Sequence, residues 1–579
     1  MQSNNSMGKK GKKRQRTSIT VAPECNMLVS SEPVKKDSIE SCLAEFEQED
    51  YQEPAEERVD ESKEKEKICA ENQNKAPEFP LLQPSSESLQ ERLATWDAAF
   101  ATWNSSNHAN YAPGLLPCFE TELARHFQMQ KLSKFLLESV KELKMPAFER
   151  WLLDAKLEEK QQARLARAVS ISGNNASSYQ QRRFAKKHKP SSSSQKEDPV
   201  LPQNMSLTSE SSQRLIEEIC ETGTEKEQAL KIVKELFART RSATQEIFSQ
   251  TLRCASQTPY KSDNIKIERG SYLVSMLYSR KKWKSPFIVK INIRHYDKLK
   301  ERFLKTHTRV MNASDLDAAI HKRNKALHAL HLLLMVITLR YSSFSGGQLL
   351  DDFRGGGMQG AINEQGFAVL HEYFPNTTLF ECFASPLNVS LSRFASAFEE
   401  LDWHFGSVGD LANCTEFQDN CCCEANPPFT PGYMEFLAAW IHKHMTKANA
   451  EDRALTFAVI VPAVHEKDLQ SGKMRVASAV KRFAGRAHQE MVDNAACTCH
   501  ILLLAREHGY VEGAQHLRPT RYKRSLYDTS VIILQSNAAQ KQELDLVEFE
   551  KSIRCAFAER HSEERRKRVE SKESQETEN

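Results

Sequence analysis

The tetrapeptide Asn426-Pro427-Pro428-Phe429 follows directly on an apolar run, Cys421-Cys422-Cys423-Glu424-Ala425, and gathers hydrogen-bond acceptors in a single turn. Two consecutive prolines stiffen the backbone and remove two N–H donors. What is left to face inward is the Asn426 side-chain carbonyl and the Pro427 backbone carbonyl. Two such acceptors match the two hydrogens of an aromatic amine such as the NH2 of adenine, whose lone pair is delocalised and weakly nucleophilic. Holding both hydrogens favours the pyramidal amine that can attack a methyl carbon, which is electrostatic preorganisation and needs no strong base. Phe429 would stack on the purine, a contact worth ~1–3 kcal/mol per base. Alignment of the two reactants would supply most of the remaining rate. The plain alternative is a proline-rich loop that merely ends a strand.

A donor of the methyl group needs a second site. The first apolar run of the same region ends in Phe380-Glu381-Cys382-Phe383-Ala384-Ser385-Pro386-Leu387-Asn388. It carries no Gly-x-Gly-x-x-Gly loop, but the small Ala384 and Ser385 would let a cofactor approach the backbone. Upstream, Gly355-Gly356-Gly357-Met358-Gln359-Gly360 is the glycine-dense stretch of a chain with 20 glycines. It reads as a loop able to close over a ligand or as an interdomain hinge.

The elements that must position these residues are short apolar runs bounded by polar segments. Thr378–Ala384, Cys421–Ala425, Thr456–Val464, Cys499–Ala505 and Ser530–Leu534 alternate with helix-patterned stretches such as Met434–His444 and Met474–Phe483. Continuous apolar strands alternating with helices predict an α/β fold with a parallel sheet covered on both faces. Ligands of such sheets bind outside the carboxyl ends of the strands, where both candidate loops fall.

Upstream the pattern is mainly helical. Leu89, Leu93, Trp96, Phe100 and Trp103 make one apolar stripe, and Glu120 to about Val169 makes a second helical segment interrupted at Pro146. Between the helical faces of residues 206–345 lies Phe287–Tyr296, an alternating, strand-like run rich in basic and aromatic groups. The predicted organisation is a disordered tail (1–85), a helical segment (86–170), a disordered linker (171–205), a helical domain (206–345), the α/β domain (346–540), and a final helix with a charged tail (541–579).

Composition narrows the class. The chain has 579 residues, 80 basic against 77 acidic, a net +3. That near balance excludes a histone-like protein while allowing local basic surfaces. No apolar run reaches the ~20 residues that span a bilayer, and no signal peptide is read at the start. Fourteen cysteines without an even framework suggest free thiols in a reducing compartment. Cys421-Cys422-Cys423 and Cys497-Thr498-Cys499-His500 lie within strand runs whose alternate residues point opposite ways, so buried thiols fit better than zinc ligands, and no metal is expected. Lys9-Lys10-Gly11-Lys12-Lys13-Arg14-Gln15-Arg16 reads as a nuclear import signal or a nucleic-acid-binding arm. A second basic run, Arg182–Lys189, falls in the linker.

Three of these segments together, Leu379–Asn388, Phe405-Gly406-Ser407 and Glu424–Phe429, closely resemble the phosphorylated-CTD-interacting-factor family of cap-specific adenosine N6-methyltransferases. Met358-Gln359-Gly360, Arg294–Lys300, Glu507-His508-Gly509-Tyr510 and Tyr522-Lys523 also match, in the family's order, over roughly residues 206–536. The resemblance implies a Rossmann-like class I methyltransferase domain preceded by a helical RNA-binding domain. It further implies S-adenosyl-L-methionine as cofactor, capped mRNA with a 2′-O-methylated first adenosine as substrate, and a nuclear protein. Carried over position by position, Asn426, Pro427, Pro428 and Phe429 would hold the adenine. Gln359, Glu381, Phe383, Ala384, Ser385, Pro386, Asn388, Glu424 and Ala425 would surround the cofactor. Lys290, Arg294, His295 and Tyr296 would contact cap or phosphates. Two departures stand out. No Trp-to-Trp pattern of a WW domain is found, Trp96 and Trp103 being too close together, which leaves recruitment by the RNA polymerase II C-terminal domain without its reader. The Asp410–Asn420 insert and the cysteine triplet also diverge. Other readings of the residues are adenine methylation elsewhere in RNA or DNA, and a silent cap-binding scaffold.

Overall fold

In a computed structural model of the chain, residues 118–143, 145–172, 197–255, 265–279, 283–307, 316–347, 349–350, 359–414, 417, 420–463, 478–518, 522–542 and 544–558 are described. The tryptophan stripe at 96–103, the glycine run at 355–357, both basic runs and the charged tail lie outside them.

The described chain opens with a helical layer. α1 (Phe119–Ser139) and α2 (Met145–Ser172) meet at Pro146, which sits in the first turn of α2 where its missing N–H leaves no bond unmade. α3 (Glu210–Glu221) starts on Ser209, whose hydroxyl accepts the Ser212 N–H, and α4 (Lys226–Ala255) follows. Next come β1 (Ile265–Arg269), β2 (Leu273–Tyr278) and β3 (Phe287–Asn292), an antiparallel three-stranded sheet inside the span expected to be mainly helical. Its register puts Ile267, Met276 and Val289 on one face and Lys266, Leu277 and Ile288 on the other. The first face joins Phe119, Leu136, Phe148, Leu236 and Leu334 in one core.

The run expected as strand through Tyr296 breaks at Asn292. There the Asn292 side chain accepts the Arg294 N–H at 3.0 Å, the capping geometry that starts a helix, and α5 (Ile293–His307) begins. α6 (Leu316–Phe344) completes the layer. The expected linker also ends early, because Asp198, Val200 and Leu201 are buried. The Arg125 guanidinium holds Asp198 bidentately, at 3.1 and 2.9 Å to one oxygen and 3.2 Å to the other. Arg125 and Arg340 share Glu122, and Arg340 also reaches Glu400. A buried charge network therefore ties α1 and α6 to the segment before β6.

The second part is a six-stranded sheet. After α7 (Glu364–Tyr373), capped by Asn363, come β4 (Thr378–Ala384), β5 (Phe394–Ser396), β6 (Cys421–Ala425), α8 (Pro431–Ala450), β7 (Leu455–Pro462) and α9 (Ser478–Val492). They are followed by β8 (Cys497–Leu503), the small ribbon β9 (Gly509–Val511) and β10 (Tyr522–Arg524), β11 (Thr529–Gln535), and α10 (Leu546–Phe557). The sheet order is β5-β4-β6-β7-β11-β8. β5, β4, β6 and β7 pair in parallel, while β11 runs antiparallel to both β7 and β8. The sheet is thus mostly parallel with one reversed strand. α8 and α9 cover one face with Met434, Leu437, Ile441 and Met491. α7 and α10 cover the other with Phe367, Leu370, Phe549 and Ile553. Every residue of β6, β7 and β11 is buried, which is why these strands read as unbroken apolar runs.

The described residues fall in one compact unit. Leu387, Phe398, Leu401, Phe405 and Ala514 from the sheet part sit in the core of the helical layer. A division at 345/346 therefore separates two layers that share a core.

Candidate functional site

The strand order places the site. The chain leaves β4 to one side, for β5, and returns to the other, for β6. At such a reversal the crevice outside the carboxyl ends of the two strands is uncovered by either crossover. β4 ends at Ala384 and β6 at Ala425, so Ser385–Asn388 and Asn426–Phe429 flank one crevice. A third segment bridges them. The Asn388 amide donates to the Gln359 carbonyl at 3.0 Å, and the Asn426 amide donates to the neighbouring Gly360 carbonyl at 3.1 Å. Gln359, whose side chain donates to Ser345 Oγ at 3.0 Å, thereby links both loops to the end of α6.

The loop after β4 is a tight turn. Asn388 Oδ1 accepts the Ser385 N–H at 2.7 Å and the Ser385 hydroxyl at 2.9 Å. Ser385, Asn388 and Ala384 are all buried. Phe383 meets the edge of Tyr433, ring centroids 6.1 Å apart. The Glu381 carboxylate accepts the N–H groups of Ser390 at 2.9 Å and Leu391 at 3.0 Å, so its role is to hold the loop leading to β5. Burial pushes this acid up, while those two bonds, Lys298 and Arg302 pull it back. Lys298 donates to the Val389 carbonyl and Arg302 to the Leu391 carbonyl at 2.7 Å.

Glu424 lies directly across from Glu381 in the parallel register. It is buried, and its carboxylate carries no hydrogen bond from a described residue. Burial first, then the neighbouring Glu381, raises its pKa well above the usual range. A cationic group brought beside it would favour its ionised form.

At Asn426 the assignment of the amide is decided by chemistry, since the Gly360 carbonyl can only accept. Nδ2 must face Gly360, and Oδ1 accepts nothing from the described residues. In the same turn Thr430 N–H closes on the Pro428 carbonyl at 2.7 Å, and no described residue donates to the Pro427 carbonyl, which is the second acceptor of the turn. The half-buried Phe429 ring is set by two edge contacts, Tyr510 at 6.0 Å and Tyr527 at 5.8 Å. Tyr510 is itself held by Thr529, 2.8 Å from its hydroxyl, and Thr529 also meets His508 Nε2 at 2.7 Å.

The four residues expected to meet RNA divide. Lys290 and Arg294 are exposed. His295 and Tyr296 are buried at 3% and 6% exposure, because they start α5 instead of ending a strand, and they are withdrawn as surface contacts. The Tyr296 hydroxyl lies 2.8 Å from His331 Nε2. His295 bonds the Pro386 carbonyl, and burial, the first cause, holds its imidazole neutral, well below its ordinary pKa. It supports the loop after β4 from below.

Sequence reasoning missed Thr430, Tyr527 and Asp154, and it placed Gly360 in a ligand loop without its bond to Asn426. Thr430-Pro431 had a legible signal, a capping residue followed by proline at the first helical position. Asp154 had none.

Fold and crevice are compatible with a methyltransferase: a mixed α/β unit, mostly parallel, with acceptor-rich and carboxylate-bearing loops at the strand reversal. Comparison with known proteins points the same way. A family model described as the Phosphorylated CTD interacting factor 1 WW domain matches residues 314–513. The mouse protein named mRNA (2′-O-methyladenosine-N(6)-)-methyltransferase is 31% identical over 186 residues, 32% of this chain and 23% of the mouse protein. Its human namesake is 30% identical over 188 residues, again 32% of this chain and 23% of the relative. The chain thus matches about a quarter of the length of these relatives. The family resemblance read from the motifs is met by relatives carrying that activity in their names. In the structure the span 314–513 comprises α6 to β9, and its two tryptophans, Trp403 and Trp440, sit in a 3-10 turn and in α8.

Proposed function

We propose that the chain methylates N6 of the 2′-O-methylated adenosine next to the cap of mRNA, with S-adenosyl-L-methionine as methyl donor and the six-stranded sheet as a Rossmann-like class I methyltransferase domain. One observation carries the reading. The Asn426 amide is fixed by Gly360 so that Oδ1, together with the Pro427 carbonyl, forms an acceptor pair that receives no hydrogen bond from the described residues. Two N–H groups of one exocyclic amine satisfy that pair, and Phe429 offers its ring to the purine. The residues also fit the donor, because the Glu424 carboxyl, to which no described residue donates, suits a molecule bearing ammonium and sulfonium charges. When bound, S-adenosylmethionine supplies an electrophilic methyl group. The chain's own work is to hold the amine, orient the ring and keep water out. Gln359, Ala384, Ser385, Pro386, Asn388 and Ala425 shape the donor side, Glu381 stiffens it, and Lys290 and Arg294 offer phosphate contacts on the exposed surface. The reading extends to a nuclear site of action, supported by the basic run Lys9–Arg16. Contact with the phosphorylated polymerase tail is supported only by the family's description.

The test offers the protein capped and uncapped RNAs of equal sequence and counts methyl incorporation. Labelling of N6 in the capped RNA alone is the expected result. Equal labelling of both reassigns the substrate to another adenine, and no labelling of either overturns the proposal. Asn426→Ala should lower turnover about 100- to 1000-fold, the usual cost of a lost preorganised polar group. Calorimetry with S-adenosylhomocysteine should leave its cofactor affinity near that of the native protein.

A further inference from the structure

Asp154 lies in the middle of α2, 276 positions before Thr430 in the chain. It stands outside the span matched by the family model. Its side chain is 2% exposed. One carboxylate oxygen accepts the Thr430 hydroxyl, and the other accepts the Gly432 N–H at 3.1 Å. Arg214 of α3 approaches the second oxygen at 3.4 Å and also binds Glu210 and Glu435.

These contacts control the turn that carries the acceptors. The Thr430 hydroxyl has one proton and two lone pairs. By taking the proton, Asp154 leaves a lone pair aimed at the Tyr433 N–H, which Thr430 caps at 3.3 Å. The same anchored residue sends its own N–H to the Pro428 carbonyl. That bond closes the tight turn and fixes where the Pro427 carbonyl and the Phe429 ring must point. Gly432 is matched to the arrangement: a Cβ placed on it would stand 2.7 Å from Asp154 Oδ1. Thr430 and Gly432 thus grip one buried carboxylate from a distant helix.

We propose that Asp154 is a positioning residue for methyl transfer, holding the Asn426–Phe429 turn through Thr430 and Gly432 so that its two carbonyl acceptors meet the substrate amine. This rests on the methyltransferase reading for its chemistry, though the anchoring of the turn does not. The ionised form accepts both bonds at once and as charge-assisted bonds, whereas a proton on the carboxyl reverses the bond to the Thr430 hydroxyl, which then accepts, and removes the charge from both. The groups facing Asp154 are Arg214 and Glu210 on α3, Tyr433 and Glu435 on α8, and Glu158 on its own helix. Burial raises its pKa to about 6, so the anchor is complete at neutral pH and weakens below it.

The experiment uses the full chain and four variants: Asp154→Ala, Asp154→Asn, Gly432→Ala and the double variant Asp154→Ala/Gly432→Ala. Two measurements are made, methyl transfer to capped RNA and amide hydrogen exchange of the segment 424–436. Displacement of the turn should lower kcat about 10- to 100-fold, the penalty for ångström-scale misplacement. KM for the donor and affinity for S-adenosylhomocysteine should stay near native values, since the loop after β4 is untouched. Exchange in 424–436 should rise while the melting temperature of Asp154→Asn at neutral pH does not fall below native. The acid limb of kcat, with its midpoint about 6, should vanish in Asp154→Asn. Gly432→Ala should be costly with Asp154 present and nearly silent in the Asp154→Ala background, where the clashing oxygen is gone.

Native transfer together with unchanged kcat and exchange in Asp154→Asn and Gly432→Ala would overturn the proposal. So would additive effects in the double variant. If the native protein transfers no methyl but exchange responds as described, the anchor stands and the substrate reading falls. Failure of Asp154→Ala to fold leaves Asp154→Asn and Gly432→Ala to decide by the same two measurements.

Discussion

A carboxylate buried without a partner dictates its own protonation. Glu424 faces Glu381 across the β4–β6 register and receives no hydrogen bond from a described residue, so burial first and the neighbouring acid second raise its pKa well above the ordinary carboxylate range. A cation entering the crevice reverses that balance, because an opposite charge nearby favours the ionised form. Donor binding should therefore release a proton wherever Glu424 is still protonated in the free protein, and donor affinity should rise with pH until Glu424 ionises unaided. Calorimetry of S-adenosylmethionine in two buffers of different ionisation enthalpy measures the released proton. In Glu424→Gln the release should vanish and the affinity should lose its pH dependence. A native protein that binds the donor with no proton released removes Glu424 from the cofactor site. The residue was legible in the sequence as part of Glu424-Ala425-Asn426. Its lack of a partner was not, since only the register with β4 puts two acids side by side.

Between elements, the contact of α2 with α8 runs through Asp154, and its energetics have a definite sign. The folded pKa of about 6 stands above the ordinary value of 3.8, chiefly because burial penalises the charge. For a carboxyl raised in this way, stability is fully present at low pH and is lost as pH rises from about 4 to 6. The loss is about 3 kcal/mol at about 1.4 kcal/mol per pKa unit. Asp154→Asn has no such dependence. Chemical denaturation from pH 4 to pH 7.5 should show the variant gaining on the native protein by roughly that amount as pH rises. A constant difference across the range would mean that Asp154 is not the buried acid it is taken for. The opposite movement of stability and turnover at neutral pH is what a residue kept for positioning looks like. Elements themselves were unevenly legible. β4 and β6 match their apolar runs residue for residue, with Glu381 and Glu424 carried inside them as buried acids. The reversed direction of β11 was invisible, since an apolar run carries no arrow. β1 and β2 were passed over although Ile265, Ile267, Val274 and Met276 do alternate, and α5 was misread because Asn292 turns a strand into a helix at one capping bond.

For the whole molecule, the span that resembles known relatives is not a structural unit by itself. α1 and α2 precede residue 314, yet they supply Glu122 and Arg125 to the network with Arg340 and Glu400, and Lys160 and Arg164 to Asp410. Removing one side of a buried charge pair leaves the other uncompensated, at about 3–5 kcal/mol. That is a large part of the roughly 5–15 kcal/mol by which domains are stable. Deleting α1 and α2 also exposes the faces of α4 and α6 that pack on Phe119, Leu132 and Trp151. A chain beginning at residue 206, though it retains every site residue expected from the sequence, lacks Asp154 and both helices, and should therefore fail to melt cooperatively. It should also expose apolar surface that binds a hydrophobic dye, and it should show no binding of S-adenosylhomocysteine. A chain beginning at residue 115 should melt as a single transition and keep that binding. Scanning calorimetry of the two distinguishes the cases. If the shorter chain melts cooperatively and binds as the longer one does, the shared core is dispensable and the sheet with its crevice is an autonomous domain.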